Sequence, residues 1–141
     1  MKNTIKSTVS ILLAVVFLFC FVSCSTVEKT GLWESATYRR DKTFGNGEKT
    51  CVVEVKAEDQ VVTFTIKTDK NTLGEALLEH ELIAGEQGDY GMFVKTVNGI
   101  FADEKDGCYW ILYINGEYAM TGVDSTEITE GTVYQLAYTK W

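Results

Sequence analysis

The chain has 141 residues, 45% of them hydrophobic, and a formal net charge of −7. That length suits one domain; two would each be hard pressed to bury a sizeable core. With 20 acids against 13 bases, the composition argues against a nucleic-acid surface and against a polybasic patch for anionic lipid.

The N-terminus sets the compartment. Lys2 and Lys6 give a positive segment, and the run from Val9 to Val22 is apolar apart from Ser10. At about 14 residues it is shorter than the roughly 20 that span a bilayer, and it fits the apolar region of an export signal. Phe21-Val22-Ser23-Cys24 resembles the lipobox of bacterial lipoproteins, with Phe21 where that pattern usually has Leu. The resemblance implies a signal peptide over 1–23, diacylglycerol on the sulfur of Cys24, and a short polar tether over 24–30. A single domain over 31–141 then sits at the extracellular face of the cell membrane, held by lipid. Cys20 leaves with the signal, as do both lysines, so the net charge moves from −7 to −9.

Beyond the tether, Gly31 to Arg40 reads as an edge strand around Trp33 and Tyr38, ended by the Gly45-Asn46-Gly47 turn. Cys51 to Lys56 and Val61 to Lys67 then alternate in polarity. Cys51, Val53 and Val55 share one face with Val62, Phe64 and Ile66, which predicts a half-buried hairpin. Asn71 or Thr72 can cap a helix whose first turn carries Glu75, and Leu73, Ala76, Leu77 and Ala84 recur at helical spacing. The helix is expected over about 72–84, with His80 on its buried side as a packed residue rather than a ligand. Gly85 to Tyr90 reads as a polar, Gly-rich loop. Asn98-Gly99 and Asn115-Gly116 each lie between apolar alternating runs. They predict type I′ hairpins, Met92–Val97 with Ile100–Ala102 and Tyr109–Ile114 with Glu117–Thr121. Glu130-Gly131 turns into a last strand, Thr132 to Thr139. The order predicts an α+β fold in which one helix packs on an antiparallel or mixed sheet of hairpins, compatible with a β-grasp arrangement.

Cys51 and Cys108 could pair in an exported protein, yet Cys51 falls on the inward face of its strand, where a buried thiol is an equally ordinary reading. With one His and no Cys-x-x-Cys, a zinc site is not expected. Asp103, Glu104 and Asp106 form an acidic loop without EF-hand spacing, which reads as solvated rather than calcium-binding. No nucleophile has a base to partner it and no nucleotide or hydrolase motif is present, so the expectation is a protein that is not an enzyme.

Two stretches carry a resemblance. Thr72-Leu73-Gly74-Glu75-Ala76-Leu77-Leu78, Tyr90-Gly91-Met92-Phe93-Val94 and Val97-Asn98-Gly99-Ile100 form the first. Tyr109-Trp110-Ile111-Leu112-Tyr113-Ile114-Asn115-Gly116-Glu117, Gly122-Val123, Ile128-Thr129-Glu130-Gly131 and Tyr138 form the second. Together they resemble the transcobalamin C-terminal-like domain family, known in bacteria as a domain of unknown function common in Gram-positive lipoproteins. The resemblance covers about 69–139, and its most specific part is the hairpin around Trp110 and Asn115. It implies a β-grasp-like fold and a binding role. Cobalamin or a related corrinoid is the first candidate ligand, although the large helical domain of the animal carriers has no counterpart here. No cofactor is required.

The aromatic residues point the same way. Phe93, Tyr109, Trp110, Tyr113 and Tyr118 cluster near the two Asn-Gly hairpins, and such side chains bind flat or apolar surfaces at small entropy cost. They are the candidate ligand-binding residues. The alternative reading is a module that docks another surface protein and binds no small molecule.

Overall fold

The computed structural model describes residues 31–141. The expected export signal, the expected lipidation of Cys24 and the expected tether lie outside the described residues.

Among the described residues nine strands form two sheets, accompanied by one α-helix. The larger sheet has the order β1-β3-β2-β9-β7-β8, from β1 (Lys42–Gly45), β2 (Lys49–Ala57), β3 (Gln60–Thr68), β7 (Cys108–Ile114), β8 (Glu117–Tyr118) and β9 (Val133–Lys140). The smaller has the order β4-β5-β6, from β4 (Ile83–Gly88), β5 (Gly91–Val97) and β6 (Ile100–Phe101). In the large sheet β9 lies at the centre, parallel to β2 and antiparallel to β7. The fold is therefore α+β with a mixed sheet, as expected, but the strands divide between two sheets rather than one.

The predicted hairpins form for the predicted reasons. Cys51, Val53, Val55, Val62, Phe64 and Ile66 are all buried, so the alternation along β2 and β3 puts one face in the core. Burying a side chain such as Phe64 contributes about 2–3 kcal/mol relative to leaving it in water. Asn98 and Gly99 have φ of 51° and 79°, and Asn115 and Gly116 have 50° and 83°. Both central residues of each turn thus take the left-handed conformation that type I′ demands. Asn98 does more than turn the chain. Its side-chain amide accepts from the Tyr38 N–H at 2.9 Å and donates to the Tyr38 carbonyl at 2.7 Å, which fastens the N-terminal segment to the β5–β6 turn.

Four expectations are corrected. Gly31–Glu34 is a 3₁₀ turn, not an edge strand; Trp33 is buried there, with its indole N–H donating to the Ala57 carbonyl at 2.9 Å. The edge strand is β1, which runs parallel to β3. The helix α1 spans Leu73–Glu79 and stops well short of Ala84. Its start is as predicted: the Thr72 hydroxyl accepts from the Glu75 N–H, and the Glu75 carboxylate accepts from the Thr72 N–H. Its end is set by Glu81, at φ 55°, with the Leu82 N–H donating to the Leu77 carbonyl and the Glu81 N–H to the Leu78 carbonyl. That pair of bonds is a Schellman closure, usually signalled by Gly at this position, so the stop carries no sequence flag. Ile83 to Gly88, read as helix end and loop, is consequently strand β4 paired with β5. In the hairpin after Asn115-Gly116, the return strand is only Glu117–Tyr118 rather than Glu117–Thr121.

Cys51 and Cys108 are both free and buried. Val52 lies level with Val133 at one end of β9, and Cys108 lies level with Lys140 at the other. At about 3.3 Å per residue the two thiols are roughly 25 Å apart along the sheet, far beyond the ~6 Å Cα separation a disulfide spans. The pairing left open by the sequence is not made within this chain.

Candidate functional site

A groove of about 260 Å³ runs between β5 and β7. Met92, Phe93 and Val94 form one wall, Tyr109 to Leu112 the other, and the segment from Tyr118 to Val123 closes one end, with Leu136 also in the lining. Four consecutive β7 residues line it, although neighbours on a strand point to opposite faces. The groove therefore follows the edge of β7, not one of its faces.

The register explains why that edge is open. The Trp141 N–H donates to the Gly107 carbonyl, and the Asn115 N–H donates to the Val133 carbonyl. Odd-numbered residues of β7 thus bond to β9, and even-numbered ones turn their main chain outward. On that outer side β8 pairs with Tyr113 and Ile114 alone. The Ala119 N–H reaches the Leu112 carbonyl at 2.9 Å, and the Cys108 N–H reaches the Asp103 carbonyl at 3.0 Å. Between them Trp110 faces the groove.

Of the five aromatic candidates, the groove gathers Phe93, Tyr109, Trp110 and Tyr118, and leaves out Tyr113. Tyr113 meets Tyr118 edge-on at 6.3 Å on the half-buried side of β7. Phe93 and Tyr118 are 43% and 64% exposed and form the rim. Trp110 is 9% exposed, lies edge-on to Tyr138 at 5.4 Å, and its indole Nε1 is buried with no hydrogen-bond partner among the described residues. Tyr109 stacks on Trp141 with ring centroids 4.8 Å apart. Burial, followed by contact with Cys108, pushes the Tyr138 hydroxyl up to about 12. Among the described residues no charged side chain lines the groove.

Sequence reasoning missed Asp124, which fixes one wall. It belongs to the 3₁₀ turn Val123–Ser125, and its carboxylate accepts from the Met92 N–H at 2.7 Å and from the Gln87 side-chain amide at 3.4 Å. The helix approaches the same turn so closely that a Cβ on Gly74 would lie 2.8 Å from the Asp124 carboxylate and 3.2 Å from the Val123 carbonyl. Gly122-Val123 belongs to the family resemblance, but nothing in composition or spacing assigns Asp124 a task. Across the groove mouth Lys95 is held by Glu86 at 2.9 Å and Glu104 at 3.8 Å, and the bond to Glu86 raises its pKa.

The other candidates lie elsewhere. His80 follows the helix end, tilted against Phe44 at 5.2 Å, and its Nε2 is buried with Glu79 at 3.9 Å and no hydrogen-bond partner among the described residues. It packs under β1, away from the groove. Burial, reinforced by the charge of Glu130, pushes the Cys51 thiol up to about 12. Asp103 caps a 3₁₀ turn by accepting from the Lys105 N–H, and no group of three metal-ligating side chains occurs among the described residues. Among these residues no helix is long and apolar enough to cross a membrane.

Comparison with known proteins places this geometry in a family. Residues 71–140, which supply the whole groove, match the model described as Domain of unknown function (DUF4430). A crystal structure of a candidate metal-binding protein from Ruminococcus gnavus ATCC 29149 is 32% identical, with a TM-score of 0.64, over 67% of this chain and 99% of that one. The chain belongs to the DUF4430 family. The same fold recurs in haptocorrin, solved in complex with Cbi, at 18% identity and a TM-score of 0.52. That match covers 66% of this chain but 25% of haptocorrin, so the fold is shared with one part of a larger protein. No curated protein matches this DUF4430 chain.

Proposed function

We propose that this DUF4430 protein is a non-enzymatic binding lipoprotein that takes a flat, largely apolar small ligand in the β5–β7 groove, a corrinoid being the first candidate. The observation that carries the reading is the lining itself, four aromatic side chains and a row of aliphatic ones with no charge among the described residues. Such a surface gains from covering an apolar plane and has nothing with which to ionise or attack it. The central parallel pair β2–β9, flanked by the β2–β3 hairpin and β7, supports the β-grasp reading and agrees with the haptocorrin likeness. The volume is small for a whole macrocycle, so one edge or face is held and the rest stays in solvent.

The test is titration of the full chain in mild detergent with dicyanocobinamide, followed by tryptophan fluorescence and equilibrium dialysis. Binding is expected to weaken about tenfold in Phe93→Ser and in Tyr118→Ser, a loss of roughly 1.4 kcal/mol, and to persist in Tyr113→Ser. No binding at high micromolar corrinoid would remove the corrinoid. Equal effects in all three variants would remove the groove. Anchoring at the outer membrane face through Cys24 belongs to the same proposal; mass spectrometry of the mature N-terminus tests it, and an unmodified, uncleaved chain would overturn it.

A further inference from the structure

We infer that the groove also accepts an extended peptide segment, which adds to the open edge of β7 as a further strand. The main-chain groups of a strand edge repeat at a pitch that another extended chain matches. Here the open stretch is short and bounded. The Cys108 N–H is closed off by the Asp103 carbonyl and the Leu112 carbonyl by the Ala119 N–H, which leaves the C=O of Cys108, the N–H and C=O of Trp110 and the N–H of Leu112 turned outward. Among the described residues no strand pairs with this stretch of the β7 edge, since β8 reaches only Tyr113 and Ile114. Main-chain groups of so buried a residue are nearly always paired, so the edge is built for a partner.

Charge identifies the peptide further. The residues flanking the lining in sequence include Glu117, next to Tyr118, and Asp124, next to Val123, while Lys95, next to Val94, is paired with Glu86 and Glu104. The mouth is thus acidic and the floor apolar. It suits an alternating segment with small β-branched residues towards the floor and lysine or arginine at its ends. Such a segment of three or four residues would pair with Trp110 through its main chain and lay its side chains against Phe93 and Tyr118.

The experiment is hydrogen–deuterium exchange on the full chain in mild detergent, with the capped heptapeptide Lys-Val-Thr-Val-Thr-Val-Lys as the probe. Two further probes carry N-methyl groups on alternate amides, one set along each edge of the peptide, and a third has Glu in place of both Lys. The amides of Trp110 and Leu112 are expected to exchange at least fivefold more slowly with the parent peptide. One methylated set should abolish that protection while the other retains it, and the Glu-flanked peptide should bind at least tenfold more weakly. No protection at millimolar parent peptide would overturn the inference, as would equal protection by all methylated forms. Cobinamide titration reads a separate signal, so either reading can fail alone; displacement of cobinamide by the peptide would show that both use one groove.

Discussion

Replacing Asp124 tests how the groove is held open. Its carboxylate takes the half-buried Met92 N–H at 2.7 Å, a charge-assisted bond, while the contact to Gln87 at 3.4 Å is too long to add much. Asp124→Ala removes the acceptor and leaves the N–H without a partner, which costs about 2 kcal/mol, within the range for hydrogen bonds to charged groups. Asp124→Asn keeps one acceptor oxygen without the charge and should cost about half as much. For a domain of this size the first change lowers Tm by roughly 8 °C and the second by roughly 4 °C. Glu117→Ala, on an exposed strand end, should stay within about 0.5 kcal/mol of the parent. Urea unfolding followed by tryptophan fluorescence gives all three values. The reasoning fails if Asp124→Ala lies as close to the parent as Glu117→Ala, or if Asn is as damaging as Ala.

Three other changes probe the framework. Glu81→Gly relieves about 1 kcal/mol of left-handed strain at φ 55° and returns roughly half through the freer unfolded chain, so thermal unfolding should shift up by about 2 °C. Trp33→Phe opens a cavity and leaves the Ala57 carbonyl without its donor, a loss of about 2–4 kcal/mol readable by urea titration. Cys51 should resist thiol reagents at pH 8 until urea is added. Its thiol stays protonated when folded up to about 12 but ionises near 9 when unfolded, so the unfolded state binds fewer protons between those values. Stability should therefore fall as pH rises from 9 to 12, together with the contribution of the Tyr138 hydroxyl, also raised to about 12; a flat profile across that window would refute it.

Local chemistry was legible in the sequence wherever one residue type suffices to set the backbone. Asn-Gly fixed two turns, the Thr72–Glu75 pair fixed the helix start, and period-two patterning fixed the β2–β3 hairpin. The helix end was hidden because Glu81 takes a conformation normally signalled by Gly. The edge strand was displaced because Trp33, aromatic and apolar as a strand residue would be, buries itself through a tertiary bond to Ala57 instead. Phe93, Tyr109, Trp110 and Tyr118 were legible as surplus aromatics, but not that they meet along an edge that Tyr113 does not share. That depends on how far β8 extends and on Asp124 reaching across from a turn, and neither is a local property.

The placement of β9 governs the order in which the molecule can assemble. Its side chains meet partners as distant as Gln135 to Glu54, 81 positions apart, and it is the last of the described strands to be synthesised yet lies at the centre of the large sheet. Until it arrives, β2 and β7 have no shared neighbour, and the two halves of the core remain open. Closing so long a loop is slow, because its entropy must be spent before the contacts form. The domain therefore closes as one late event, when β9 enters between two halves that have no other strand to join them.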